Sequence, residues 1–161
     1  MMCAYPEIIF IDATYKLLKI RGVLFLMLVE DSKGGSEIVG VCILMSEDYE
    51  SVTWMMETFK SVHHSTWKNI KCVMSDKDMV EREVIRTCLP HVRLLICVFH
   101  TLRTFSREIT CSKCEITVQI REKALTILQK MVYSKTDEEY NELYQQIQLL
   151  PHSIVNYFDE N

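Results

Sequence analysis

Two stretches decide the fold: Ile8-Ile9-Phe10-Ile11-Asp12-Ala13-Thr14 and Ile70-Lys71-Cys72-Val73-Met74-Ser75-Asp76. Each is a short apolar run that ends on an aspartate. Apolar runs of this length, bounded by polar residues, read as buried strands. In open α/β sheets, ligand and metal sites lie beyond the carboxyl ends of strands. Parallel neighbours would therefore bring Asp12 and Asp76 to one sheet edge. Close carboxylates repel each other and favour a hard divalent cation, Mg²⁺ or Mn²⁺. The pair predicts half of a metal site for phosphoryl chemistry.

The order of elements extends outward from these runs. Residues 7–13 form a first strand, Lys19-Ile20-Arg21-Gly22 a turn, and Val23 to Glu30 a second strand. The Gly-containing loop Asp31-Ser32-Lys33-Gly34-Gly35-Ser36 leads into a third strand, Glu37 to Met45. These short connections predict an antiparallel meander. Helical spacing of Val52, Met55, Met56, Phe59 and Val62 then predicts a helix over residues 48–63. The second key run is strand four. Asp78, with Glu81 at N3, caps a helix carrying Val80, Val84, Ile85 and Cys88, which Pro90 ends. Val92 to Val98 is strand five. A third helix sets Val98, Leu102, Phe105 and Ile109 on one face. The rest is helical: one helix through Ile120, Ala124, Ile127, Leu128 and Met131, another opened by Thr136 and Glu139. Pro151 breaks or kinks that last helix. The final residues carry no signal for a closing element. Met55, Met56, Met74, Met79, Trp54 and Trp67 read as core.

The chain has 161 residues, enough for one domain with a full core. A net charge of −4 argues against a generally basic nucleic-acid binder, so DNA contact requires a local patch. The longest apolar run, Val23 to Val29, is too short to span a bilayer, and no signal peptide is legible. Among seven cysteines, Cys42, Cys72, Cys88 and Cys97 fall in apolar patterns. Buried thiols in a reducing compartment are the expectation.

Three meander strands followed by helix-linked strands give an α/β fold with a mixed five-stranded sheet. Strand four should lie parallel to strand one, on the side away from strand two. That is the element order of the RNase H-like fold. The residues also support a family resemblance. Tyr5 to Lys16 resembles the first-aspartate strand of Mutator-like element (MULE) transposases, and Val73-Met74-Ser75-Asp76-Lys77-Asp78 their second. Cys97-Val98-Phe99-His100 resembles the Cys-x-x-His motif after their fifth strand. More closely, the chain resembles the transposase-derived domain of vertebrate SWIM-type zinc finger proteins. Residues 5–110 correspond to the RNase H-like core and 111–161 to the start of an all-helical insertion, here truncated.

The resemblance implies a DDE site in which Asp12 and Asp76 hold metal ions with a third acid, a glutamate. The family places that glutamate after the helical insertion, so an inactive, domesticated site is expected. Glu108, on the helix after strand five, is a substitute for it. His100, Arg103 and Arg107 share one helix face and are candidates for DNA phosphates. Cys97, His100, Cys111 and Cys114 form a Cys-x2-His-x10-Cys-x2-Cys spacing, the basis of a zinc-stabilised alternative. The expected role is DNA or protein interaction in the nucleus, with a protein partner on the C-terminal helices and no membrane. An active metal-dependent nuclease is the rival.

Overall fold

The computed structural model describes residues 2–15 and 22–160. Residues 19–21 of the expected first turn lie outside them. The chain forms two compact units, Met1–Cys97 and Val98–Asn161.

The first unit contains β1 (Ile8–Thr14), β2 (Val23–Glu30), β3 (Ser36–Leu44), α1 (Tyr49–Val62), β4 (Cys72–Ser75), α2 (Met79–Cys88) and β5 (Arg93–Ile96). A 3-10 turn at Trp67–Asn69 precedes β4. The sheet order is β3-β2-β1-β4-β5. β1 pairs antiparallel with β2 and parallel with β4, and β4 is parallel to β5. This is the mixed RNase H-like sheet that the sequence predicts. β5 is shorter than expected and stops before Cys97, whose N–H donates to Ser75 O at 2.7 Å.

Alternation along the strands separates two faces. Ile9, Ile11, Phe25, Met27, Val29 and Val73 are buried with Val52, Met55, Met56 and Phe59 of α1 and Val84, Ile85 and Cys88 of α2. Both helices start on aspartate caps. Asp48 accepts from Ser51 N–H and Asp78 from Glu81 N–H, each at 2.8 Å. Trp54 and Met79 are exposed, against the core role expected for them. In α1, Val52, Met55, Met56 and Phe59 form the buried stripe, and Trp54 falls outside it. Met79 sits in the first turn of α2, ahead of its buried stripe.

The β2–β3 ladder carries one irregularity. Met27 pairs with Gly40 and Leu28 with Ile38, leaving Val39 unmatched as a bulge. His63, just beyond α1, donates Nε2–H to Val39 O at 3.0 Å. A side chain at Gly40 would meet the Met27 side chain at 3.2 Å.

The second unit is helical: α3 (Val98–Glu108), α4 (Cys111–Cys114), α5 (Val118–Val132), α6 (Asp137–Gln148) and α7 (His152–Glu160). Its core contains Ile109, Ala124, Ile127, Leu128, Met131, Leu143, Ile147 and Ile154. Thr110, Thr117 and Thr136 cap α4, α5 and α6. α7 corrects the expectation of an end without a closing element. Pro151 starts it rather than only ending α6, since Ile154 N–H donates to Pro151 O at 2.9 Å. Burial of Ile154 and Val155 supplies the stabilisation. Ser153 Oγ donates to Cys114 O at 2.8 Å, tying α7 back to α4.

Ile85 is fully buried between sheet and helices, whereas Val41 is exposed on edge strand β3. Ile85→Ala should cost about 2–5 kcal/mol, and Val41→Ala about 0.5 kcal/mol or less. Urea unfolding followed by tryptophan fluorescence checks both; equal losses would mean that the core is misassigned.

Candidate functional site

The site is built where β1, β3, β4 and β5 all end. β3 is antiparallel to β2, as is β1, so both deliver their carboxyl ends to the edge at which β4 and β5 also finish. The β1–β4 ladder ends with Phe10 opposite Met74. Counting on two residues brings Asp12, within β1, level with Asp76, the first residue beyond β4; neighbouring strands lie about 4.8 Å apart. Asp12 follows the alternation of Phe10, on the face away from buried Ile9 and Ile11.

Local bonds orient the two carboxylates. Thr14 Oγ1 donates to Asp12 Oδ2 at 3.3 Å. Asp78 N–H donates to Asp76 Oδ1 at 2.8 Å, so the cap of α2 and the second aspartate are one turn. Arg82, buried despite its charge, donates Nη1–H to the carbonyls of Asp76 and Leu95 at 3.4 and 3.3 Å. It straps the ends of β4 and β5 together.

Three further groups join the edge, and none was singled out for it from sequence. Tyr15 donates its hydroxyl to Glu47 Oε1 at 2.6 Å. Burial, the Glu47 bond and the negative charges of Asp76 and Asp78 all push the Tyr15 hydroxyl far above its ordinary value. Glu47 follows β3, and the parallel direction of β1 and β3 is the signal that places it here. Glu81 was read as a cap acid, yet it is only 3% exposed and its Oε1 has no hydrogen-bond partner. Burial first, then Asp76, pushes its carboxyl up to about 8; Asp78 and Glu47 add to this and the Ser75 hydroxyl opposes it. Glu81 is thus mainly protonated at neutral pH. Its spacing to Val84, Ile85 and Cys88 (i+3, i+4, i+7) is the signal for burial.

The remaining candidates lie mostly in the helical unit. His100, Arg103 and Arg107 are on α3, where Arg103 and Arg107 are exposed and His100 is half-buried. Arg107 Nε–H donates to Glu108 Oε1 at 2.9 Å, and Lys113 Nζ reaches Glu108 Oε2 at 2.7 Å. Lys113 and Arg107 hold the Glu108 carboxyl below its ordinary value. Cys97 closes the sheet unit, while Cys111 and Cys114 stand on α4. Among the described residues, no three His, Cys, Asp or Glu side chains come together as a metal-holding group. No helix among them is long and apolar enough to cross a membrane.

Residues 1–95 match the family model described as "Zinc finger SWIM domain-containing protein 1/3, RNaseH-like domain". Among solved structures, the chain is similar to the HTLV-2 integrase catalytic core domain in complex with magnesium (dimeric form). Identity is 14%, coverage is 77% of this chain and 86% of that one, and the TM-score is 0.38.

The raised Glu81 pKa has a pH signature. A carboxyl titrates near 4.3 in an unfolded chain, so stability is intact below that value and is lost as pH rises towards 8. The slope is at most about 1.4 kcal/mol per pH unit. Glu81→Gln should remove this part of the pH dependence, so its advantage over wild type grows between pH ~5 and ~8. Urea unfolding at the two pH values checks it; parallel losses in both proteins would refute the buried, protonated state.

Proposed function

Since the chain belongs to the RNase H-like domain family of zinc finger SWIM domain-containing proteins 1 and 3, we propose that it is a domesticated, transposase-derived module. It works by binding DNA or a protein partner rather than by cutting strands. The observation that carries this reading is the state of the glutamates that could complete a triad with Asp12 and Asp76: Glu47 is engaged by the Tyr15 hydroxyl. Glu81 is buried and mainly protonated at neutral pH, and Glu108 is paired with Arg107 and Lys113. Strand cleavage by two metal ions uses carboxylates that are charged and open to both metals.

DNA contact is assigned to His100, Arg103 and Arg107 of α3, as phosphate ligands. Protein contact is assigned to the C-terminal helices, which expose Val118, Tyr133, Tyr140 and Leu149. A nuclear location is part of this reading and is supported by the resemblance to transposases alone.

A second reading, a Mg²⁺- or Mn²⁺-dependent nuclease, is favoured by one observation, the level placement of Asp12 and Asp76. Two carboxylates with several waters suit Mg²⁺, which sheds its hydration reluctantly. Asp12 and Asp76 would hold the ion, and it would supply charge neutralisation at a phosphate.

Calorimetric titration of Mn²⁺ into wild type, Asp12→Ala and Asp76→Ala, run beside a plasmid-nicking assay, separates the two. Metal binding lost in both variants, with no nicking by wild type, is the expected outcome. Mn²⁺-dependent nicking that disappears in Asp12→Ala would replace the binding reading with the nuclease.

A further inference from the structure

Between Glu57 and Asp76 the chain has no acidic residue, yet it carries Lys60, His63, His64, Lys68 and Lys71. Between Glu83 and Glu108 there is again none, and His91 and Arg93 fall at the start of β5. In a chain of net charge −4, such local segregation makes a basic patch. The fold brings the two segments together. Trp67 is the hub: Lys60 Nζ lies 4.9 Å and Lys68 Nζ 5.7 Å from its ring centroid. The His91 ring meets the same indole edge-on at 5.8 Å. Beside this cluster Arg93 N–H donates to Lys71 O at 2.8 Å, so Lys71 and Arg93 enter adjacent strands side by side.

These groups stand at the amino ends of β4 and β5, the edge opposite Asp12, Glu47 and Asp76. His64, Lys68, Lys71, His91 and Arg93 are exposed, and Lys60 is half-buried. Acids share that edge: Glu30, Asp31 and Glu37 stand at its far end, where β2 turns into β3, and two lie nearer the cluster. Glu57 bonds Lys60 at 2.7 Å, and exposed Glu7 precedes β1 at the same edge.

We propose that this Trp67-centred basic patch, built from Lys60, Lys68, Lys71, His91 and Arg93, is a docking surface for the phosphate backbone of duplex DNA. Lysines held around one indole repel each other, and a polyanion relieves that repulsion. The exposed neighbours His64, Ser65 and Asn69 are the donor types that position phosphates. Val62 is an exposed apolar residue beside them, whereas a protein interface would place an apolar core at its centre. Single strands are bound by stacking bases on open aromatic rings. Trp67 already carries lysines over its ring, so the contact is to the backbone and indifferent to base sequence. The proposal deepens the binding reading above, and rests on it only for the class of ligand.

The test is fluorescence anisotropy of a labelled mixed-sequence duplex, titrated with the full chain at several salt concentrations. Wild type should bind with a steep salt dependence. Lys68→Gln/Lys71→Gln should bind about tenfold more weakly, and the slope of log K against log salt should fall by about 0.9 for each phosphate contact removed. Arg103→Gln/Arg107→Gln, run beside it, reads the α3 contact separately, and Lys123→Gln/Lys130→Gln, exposed on α5, should leave duplex binding unchanged. In a Trp54→Phe background, duplex should also change the fluorescence of Trp67. Binding lost only in the arginine pair would overturn the patch while leaving the binding reading intact. Binding of polyglutamate but not of duplex would overturn it in favour of an acidic protein partner. Binding of neither would overturn both the patch and the DNA reading.

Discussion

The parallel pairing of β1 with β4 is the constraint on which the site depends. Side chains alternate along a strand, so a slip of one residue would turn an aspartate from the open face into the helix-covered core. The register is held from both sides. Ile9 and Ile11 of β1 and Val73 and Ser75 of β4 are buried on the face that α1 and α2 cover. Below the ladder, Lys71 and Cys72 N–H both donate to Glu7 O. Above it, the Asp78 cap and Arg82 fix the exit of β4. The aspartates are level because apolar residues elsewhere have no other place to go.

The same strand direction sorts charge. Glu47, Asp48, Asp76 and Asp78 follow β3 and β4 and gather at one rim, while Glu30, Asp31 and Glu37, at the turn between β2 and β3, stay at the other. Lysines, histidines and an arginine precede β4 and β5 and gather at the other. A proton on Glu81 moderates the acidic rim, since an ionised carboxylate there would be buried beside Asp76 with one oxygen unbonded. Desolvation, rather than a designated proton donor, keeps that carboxyl neutral.

Much of the sheet was legible. The two aspartate-ended runs, the meander loops and the caps at Asp78 and Thr136 are local signals, and each element formed where they lie. The aspartate pairing followed from topology, because helical crossovers between strands leave them parallel. What escaped was the consequence of surroundings. The pattern of α2 places Glu81 on the buried stripe, but its capping position offered a competing role that sequence does not resolve. Tyr15 and Glu47 are separated by 31 intervening residues and meet through β3 alone. α7 was hidden because Pro151 reads equally as the end of one helix and the start of the next. The 3-10 turn around Trp67 carries no periodicity, and its basic neighbours come from two separate segments.

β3 is an edge strand with Ile38, Val41 and Ile43 exposed, the profile of a strand that recruits copies of itself. The bulge at Val39 interrupts its outer row of hydrogen-bonding groups, and His63 occupies the carbonyl there. An incoming strand therefore meets a kinked template with one acceptor already taken, so it cannot zip along the full length. That single extra residue works against edge-to-edge growth along an otherwise greasy border.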